Sequence, residues 1–326
     1  MHRFAPRRAV SALTCAASLI ATAALAQPDP AARPASGTTV APVTIEGPST
    51  PKVIEQQSYR FVQDLVVTGN PELDQVVRWR DPVCIRAAGL VPNQDQEIEA
   101  RITEVAKALD LRVGKPGCKA NVEIVFSDQP QTVLDQLYKR REYMLGYYHR
   151  HDGVRLKKVT MPIQAWHVTA TIGGWGGVAG AEAQPHSEVI DDPENMPPAG
   201  CGINHAFTAC LQGVFKNVFV IVDNSFLGDK SLGLVTDYLA MVALAQPRSL
   251  NGCSDLSSVI DLFAKAACPG RDAPDGLTPA DASYLTALYS ADPEQKKWAA
   301  ESDISGRMAK ILIKAGTRPG APPSKP

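Results

Sequence analysis

The sequence has 326 residues, of which 44% are hydrophobic and 21% charged, so it holds enough apolar material to bury a large core and is not disordered throughout. It carries 33 Lys plus Arg against 34 Asp plus Glu. This balance excludes a general nucleic-acid binder, which would be strongly basic. Beyond the N-terminus no stretch reaches the roughly 18 consecutive apolar residues of a membrane span, so we expect no integral span after that point.

The N-terminus has the features of a secretory signal peptide covering residues 1–26. Its first eight residues hold three arginines and a histidine, and a mostly apolar stretch follows over residues 9–23. Ala24-Leu25-Ala26 then provides the small-x-small site that a signal peptidase accepts. We therefore predict cleavage before Gln27 and a periplasmic or secreted mature protein. Cleavage removes three arginines and no acid, leaving 30 basic and 34 acidic residues.

Cleavage also removes Cys15 and leaves six cysteines, and an even number in an exported protein favours disulfides. We prefer the set in which each bond closes a local loop: Cys84 with Cys118, Cys201 with Cys210, and Cys253 with Cys268. No Cys-x-x-Cys pair is present, so the sequence gives no indication of a zinc cluster built on cysteines.

The chain divides into four segments by composition. The signal peptide precedes a Pro- and Ala-rich linker over residues 27–52. A single folded domain is expected over residues 53–315, which is near the upper end of single-domain size. Residues 316–326 are rich in proline and are expected to form a disordered tail.

Apolar periodicity predicts three elements in the first half of the domain. Apolar residues at helical spacing indicate a helix over Asp95–Leu109. Asn121–Phe126 is a short run rich in β-formers and predicts a strand. Pro130 opens a second helical pattern, which includes Leu134 and Leu137.

Two further strands are predicted around a glycine-rich stretch. Ile163–Ile172 alternates, with Trp166 on one face and His167 on the other, which is typical of a half-buried strand. Residues 173–179 contain G-x-G-x-x-A, but no helix signal follows them, so we interpret them as a flap or turn rather than a dinucleotide loop. Val218–Val222 is continuously apolar and predicts a central strand.

Helix signals dominate the C-terminal third. Thr278-Pro279-Ala280-Asp281 supplies a cap, a first-turn proline and an acid at the third position, which predicts a helix through Leu288. Asp292-Pro293-Glu294-Gln295 repeats this pattern and predicts the start of the last helix. Because strands lie early and helices late, we expect an α+β fold in which helices back a mixed sheet.

Histidines are the main candidates for a chemical site. His149 and His151 would share one face of an extended segment, and a third metal ligand would come from His167, His186 or His205. Histidines in a charged, aromatic loop are more often surface residues, so we predict no metal and no cofactor. The chain also lacks G-x-S-x-G, and we assign no catalytic residue.

The order of the elements from Val218 to Asp292 resembles the C-terminal layout of secreted zinc metallopeptidases of the metzincin type. In that layout a strand leads into a helix with H-E-x-x-H, and an L-T-x-x-D segment opens a later helix that ends in Leu-Tyr. The corresponding pieces here are Gly233–Gln246, Leu256–Phe263, Leu277–Asp281 and Leu288-Tyr289. More broadly, Trp79–Cys84 and Cys118–Phe126 resemble segments of a group of uncharacterised exported bacterial proteins.

The zinc motif itself has no counterpart in this sequence. H-E-x-x-H aligns with Asp237, Tyr238 and Met241 at the positions of the first ligand, the general base and the second ligand. The resemblance therefore implies a zincin-like domain that has lost its metal and its peptidase activity. A simpler interpretation is that this segment is an ordinary core helix.

These observations favour an exported, disulfide-stabilised, non-catalytic domain that acts in binding or as an envelope scaffold. Its expected partner is an unidentified envelope or secreted protein. The alternative is a hydrolase with a non-standard metal or histidine site, for which His149, His151 and His167 are the candidates. A third hypothesis is an interaction module with an apolar groove near Trp166 and Trp175.

Overall fold

The computed structural model describes residues 50–68, 74–145, 156–173, 211–228, 230–248, 253–263, 268 and 274–316. The helices and strands in these ranges are α1 Pro51–Leu65, β1 Ile85–Ala88, α2 Pro92–Ala108, β2 Val122–Ser127, α3 Pro130–Arg141, β3 Ile163–Gly173, β4 Leu211–Asp223, α4 Leu232–Ala245, α5 Pro279–Ser290 and α6 Lys297–Lys314. Short 3-10 helices cover Glu142–Leu145, Asn224–Phe226 and Val259–Phe263.

The four described strands form one mixed sheet in the order β1-β2-β4-β3. β1, β2 and β4 run parallel, whereas β3 runs antiparallel along the outer side of β4. The predicted α+β fold with a mixed sheet is confirmed. Val218–Val222 lies between β2 and β3, so the expected central strand is also confirmed.

Helix α2 connects the parallel strands β1 and β2 and confirms the helix predicted from apolar periodicity. Its inward face buries Ile98, Ile102 and Ala106 completely. The turn between β1 and α2 requires Gly89, because its φ is +111° and a Cβ at this position would lie 2.0 Å from the Phe126 carbonyl oxygen.

Helices cover both faces of the sheet, and the predicted alternation of β3 is seen from Trp166 to Ala170, where the Trp166 face is buried and the His167 face is partly exposed. One face packs into the large core with α1, α2, α4, α5 and α6, to which Ile163 contributes. The other face carries Trp166 and Phe219 under α3 and the 3-10 helix Glu142–Leu145. A register shift between Val168 and Thr169 interrupts the pairing with β4, and beyond it Thr171 departs from the alternation, because it is only 4% exposed.

Helix α4 follows β4 and is buried on all sides. Its start is capped by Ser231, whose side chain accepts a hydrogen bond from the Leu234 amide at 3.2 Å. Every residue from Leu234 to Ala245 is buried. The helix ends at Gln246, which has a left-handed backbone (φ 45°), and at the following Pro247. The predicted helix is confirmed within one residue at each end.

The two C-terminal helices had the same predicted start signal, but only one of them uses it. In α5 the Thr278 and Asp281 side chains form a reciprocal capping box, with proline in the first turn, as predicted. The prediction for α6 is wrong, because that helix begins only at Lys297. The Asp292 carboxylate instead accepts from the Glu294 amide in a turn, and Lys296 pairs with Gln75 in a β-bridge, which keeps the chain extended.

Two of the three predicted disulfides are present. Cys84 pairs with Cys118 and Cys253 pairs with Cys268, whereas Cys201 and Cys210 lie outside the described residues. Disulfides of this kind are typical of proteins that fold in an oxidising compartment. No described helix is both long and apolar enough to cross a membrane.

Three predicted segments fall partly or wholly outside the described residues. Nothing is described for residues 1–49 or 317–326, which hold the signal peptide, most of the linker and almost all of the tail. Helix α1 begins at Pro51, so the last two residues assigned to the linker are helical. Of the segment Leu256–Phe263, only Val259–Phe263 forms a short 3-10 helix.

Candidate ligand-binding cavity

A cavity of about 250 Å³ lies between the edge strand β3 and the C-terminal half of α4. Most of its wall is apolar, with Ile163 and Ala165 on the strand side and Val242 on the helix side. Polar groups come from Gln164, His167, Tyr238, Gln246 and Arg248. The volume is close to the lower end of the range for ligand pockets and gives room for one large apolar side chain or a group of similar size.

Beside the cavity, alternate residues of β3 direct their backbone amide and carbonyl groups away from the rest of the sheet. The Asp223 amide donates to the Pro162 carbonyl at 2.8 Å, which fixes the alternation of hydrogen bonding between β3 and β4. By that alternation, Ile163, Ala165 and His167 direct their amide and carbonyl groups outward. Within the described ranges no strand pairs with this edge of β3.

His167 reaches from β3 to the last turn of α4. Its Nε2 lies 2.8 Å from the Val242 carbonyl oxygen, and because a carbonyl only accepts, Nε2 carries the hydrogen. The ring also contacts Phe215, with 5.5 Å between ring centroids. Burial lowers the pKa of His167 to about 4, although the hydrogen bond to Val242 acts in the opposite direction. The imidazole is therefore neutral at pH 7.

Two other side chains bind the next carbonyls of the same helix end. The Trp79 indole Nε1 donates to the Ala243 carbonyl at 2.8 Å, and the Tyr289 hydroxyl donates to the Leu244 carbonyl. Carbonyls in the last turn of a helix have no partner within the helix, so these side chains supply the bonds that water supplies at an exposed end. His167, a candidate ligand in the sequence, thus has a capping role that fixes the helical wall of the cavity.

Tyr238 lines the cavity one turn before Val242. Its ring packs edge-on against Phe263, with 4.8 Å between centroids. Burial raises the pKa of Tyr238 to about 12, so the phenol is neutral at all ordinary pH values. The face of α4 that borders the cavity is therefore defined by Tyr238 and Val242.

Asp237, by contrast, is a structural residue on another face of α4. Its carboxylate accepts from the Arg101 Nε at 2.8 Å and from the Leu277 amide at 2.9 Å. The hydrogen bond to Asp237 raises the pKa of Arg101. A Cβ on Gly276 would lie 2.7 Å from the Asp237 carboxylate, which shows how closely the chain approaches it. Asp237 thus joins α2, α4 and the segment before α5.

The three positions aligned with the zinc motif do not form one site. Met241 has no exposed surface and lies in the main core, Asp237 is held in an ion pair, and only Tyr238 borders the cavity. In the described part of the chain, no group of three or more His, Cys, Asp or Glu side chains is arranged to hold a metal ion.

The remaining sequence candidates are either buried or not described. Trp166 is 3% exposed, and its indole donates to the Leu156 carbonyl at 3.0 Å, so it does not line a groove as proposed from the sequence. The other candidates lie outside the described residues: His149, His151, His186, His205 and Trp175. Trp79 and Tyr289 appeared in the sequence only as part of a resemblance, because a capping partner distant in sequence leaves no local pattern.

The described lining of the cavity is poor in side chains that act as bases or nucleophiles. Its described lining contains no Asp, Glu, Ser, Thr or Cys side chain, so it offers neither a carboxylate base nor an aliphatic hydroxyl or thiol nucleophile. The exposed Arg248 stands at the border of the cavity, and its backbone is anchored by a bond from its amide to the Leu65 carbonyl at 2.9 Å.

No family model, curated protein or solved structure matches this chain. The resemblance to the metzincin layout therefore stays a prediction from the sequence.

Proposed function

We propose that this chain is an exported, non-catalytic binding domain that holds an extended peptide segment of an envelope or secreted partner against β3. The observation that carries the proposal is the cavity beside the outward-facing backbone of Ile163, Ala165 and His167. Backbone groups at a sheet edge can pair with an added strand, and an adjacent cavity can select one of its side chains.

The geometry of an added strand explains why one cavity is sufficient for selectivity. Alternate side chains of an extended peptide point to the same face of the sheet. One of them would enter the apolar space between Ala165 and Val242, while its neighbours stay outside. Affinity would come mainly from main-chain hydrogen bonds, and the cavity would favour a large apolar residue at one position.

Two properties of the chain support export and the absence of catalysis. The signal-like residues 1–26 and the two disulfides fit a protein of the periplasm or the exterior. The Nε2 atom of His167 is engaged with a carbonyl, and the motif positions Asp237 and Met241 point away from the cavity. A zincin-like layout is part of this proposal, since β4 leads into α4 as the resemblance implies.

The test is selection of peptides from a random library displayed on phage, using the protein without residues 1–26. Synthetic copies of the selected peptides are then titrated against Ala165→Phe, which fills the cavity, and Ala88→Phe, which adds the same side chain at an exposed position of β1. We expect Ala165→Phe to weaken binding at least about tenfold and Ala88→Phe to leave it unchanged. Equal binding to both variants, or no selected peptide, would reject the proposal.

A second variant tests the edge pairing separately from the cavity. The Ala165 amide points away from β4, so Ala165→Pro removes an outward donor without removing a bond of the sheet. We expect the variant to fold, as judged by circular dichroism, and to bind the selected peptides more weakly than wild type. Unchanged affinity would show that the peptide does not pair with this edge.

Of the hydrolase candidates His149, His151 and His167, only His167 lies in the described residues, and it borders the cavity beside Tyr238. A histidine with a pKa near 4 is a weak base at neutral pH, so the structure favours this function less. Incubation of the selected peptides with wild type and His167→Gln decides between the two. Cleavage by wild type that disappears in His167→Gln would replace the binding proposal.

A further inference from the structure

Arg78 is an arginine fixed in the interior of the protein. Its amide donates to the Gly213 carbonyl at 3.3 Å, and its carbonyl accepts from the Phe215 amide at 3.0 Å, so the backbone is paired with β4. The residue is only 6% exposed. Both bonds go to β4, so the backbone of this buried residue is fixed against the sheet.

The guanidinium group of Arg78 finds no acceptor among the described residues. None of its three nitrogens forms a hydrogen bond with any described residue, and all three are buried. Burial lowers the pKa of Arg78, yet a guanidinium starts from so high a value that it remains charged at neutral pH. A buried charge without a partner is strongly unfavourable, and this one therefore requires a compensating group.

Two phenols and two carboxylates lie close enough to the Arg78 guanidinium to act on its charge. The hydroxyls of Tyr284 and Tyr289 both act on the Arg78 charge. The Tyr284 hydroxyl is buried and also lacks a hydrogen-bond partner in the described ranges, whereas the Tyr289 hydroxyl is bonded to Leu244. Asp292 and Asp303 act on Arg78 only electrostatically, and the Asp303 carboxylate is paired with Arg307 at 2.8 Å.

We propose that Arg78 and Tyr284 bind a small monovalent anion of the size of chloride in the core. A guanidinium and a phenol both donate hydrogen bonds, and an anion accepts several of them while neutralising the charge. Because the guanidinium nitrogens and the Tyr284 hydroxyl are buried, we expect the site to admit only a small anion. The bound ion would connect the segment before β1, and through it β4, to helix α5.

Thermal unfolding in different sodium salts tests this site in the protein without residues 1–26. At equal ionic strength we expect a higher Tm in chloride or bromide than in isethionate, whose anion is too large to enter. The difference in Tm between halide and isethionate should increase with halide concentration, because an ion that binds only the folded state stabilises it more as its concentration rises. Identical Tm values of wild type in all three salts would overturn the proposal.

Three variants assign the effect to this site. Arg78→Met should abolish the halide-specific rise in Tm, and Tyr284→Phe, which removes one hydroxyl and keeps the ring, should weaken the apparent halide affinity about tenfold or more. Arg80→Met is the matched control, because Arg80 is exposed and lies two residues away. The site is rejected if Tyr284→Phe and Arg78→Met respond to halide as Arg80→Met does. If Arg78→Met does not fold, Tyr284→Phe alone decides.

Anomalous diffraction from crystals soaked in sodium bromide locates the ion directly. We expect a peak within hydrogen-bonding distance of the Arg78 guanidinium and the Tyr284 hydroxyl. Ordered water alone at that position, or bromide only on the protein surface, would overturn the proposal. Filling the other cavity with Ala165→Phe should leave the halide effect intact, so this site and the peptide site can fail independently.

Discussion

The imidazole of His167 donates from Nε2 to the carbonyl oxygen of Val242 at 2.8 Å and so joins the edge strand to the last turn of α4. Trp79 and Tyr289 bind the next two carbonyls of the same turn. Residues Leu234 to Ala245 of α4 are buried, and side chains from three distant segments satisfy these carbonyls. One wall of the cavity is thereby held in place.

We predict that His167 makes the stability of the protein depend on pH. Its pKa is about 4 in the folded state and about 6.5 in the unfolded state, so the unfolded chain binds the proton more tightly. The stability contribution is complete above pH 6.5 and is lost as the pH falls towards 4, by up to about 3 kcal/mol. Urea unfolding of wild type and His167→Gln between pH 4 and 7.5 measures this.

The comparison with His167→Gln isolates the histidine from other groups that titrate in the same range. Burial raises the pKa of Asp281 to about 6, and this acts in the opposite direction, because the folded state then holds the proton more tightly. The Asp281 effect is common to both proteins and cancels in the difference. A difference in unfolding free energy that does not change with pH would contradict the assignment.

Asp237 is predicted to stabilise the fold through its buried contacts. Asp237→Ala leaves the Leu277 amide without its acceptor and removes the ion pair with Arg101. We expect a loss of about 2 to 3 kcal/mol in the free energy of unfolding. Glu104→Ala removes the exposed partner of the same arginine and should cost less than about 0.5 kcal/mol. Equal losses in the two variants would show that burial of Asp237 is unimportant.

Grafting the zinc motif onto α4 is predicted to fail. The combined change Asp237→His, Tyr238→Glu and Met241→His restores H-E-x-x-H in sequence, but Met241 lies in the core and Asp237 faces Arg101. We expect a destabilised protein without stoichiometric zinc, as measured by elemental analysis after purification without chelators. Zinc at one equivalent together with zinc-dependent peptide cleavage would support the metzincin alignment instead.

Asp281 is predicted to be among the more sensitive positions in the C-terminal region. Its carboxylate accepts from the Ser258 hydroxyl at 2.5 Å, the Val259 amide at 3.0 Å and the Thr278 amide at 2.9 Å. Asp281→Ala leaves these donors buried and unpaired, and we expect a loss of about 3 to 5 kcal/mol. Asp292→Ala, at an exposed turn, should cost no more than about 1 kcal/mol by the same unfolding measurement. Similar losses would contradict this role.

Local patterns in the sequence predicted the elements that depend on local forces. Thr278 and Asp281 cap α5 within one turn, and apolar spacing predicted α2 close to its observed limits and the C-terminal part of β4, which begins earlier, at Leu211. The two observed disulfides each close a short loop, which is why a preference for local pairing found them. The repeated signal at Asp292 failed because a β-bridge from Gln75, far away in the sequence, holds that segment extended.

The sequence alone determined the class of the fold, several of its helices and strands, and the two disulfides, because capping, periodicity and short loops act between neighbouring residues. Only the tertiary structure decided that Tyr238 rather than Met241 borders the cavity and that His167 caps a helix. It also brought Trp79 to Ala243 across 164 positions of the chain. Such contacts depend on how the sheet and helices pack together, and no local pattern encodes them.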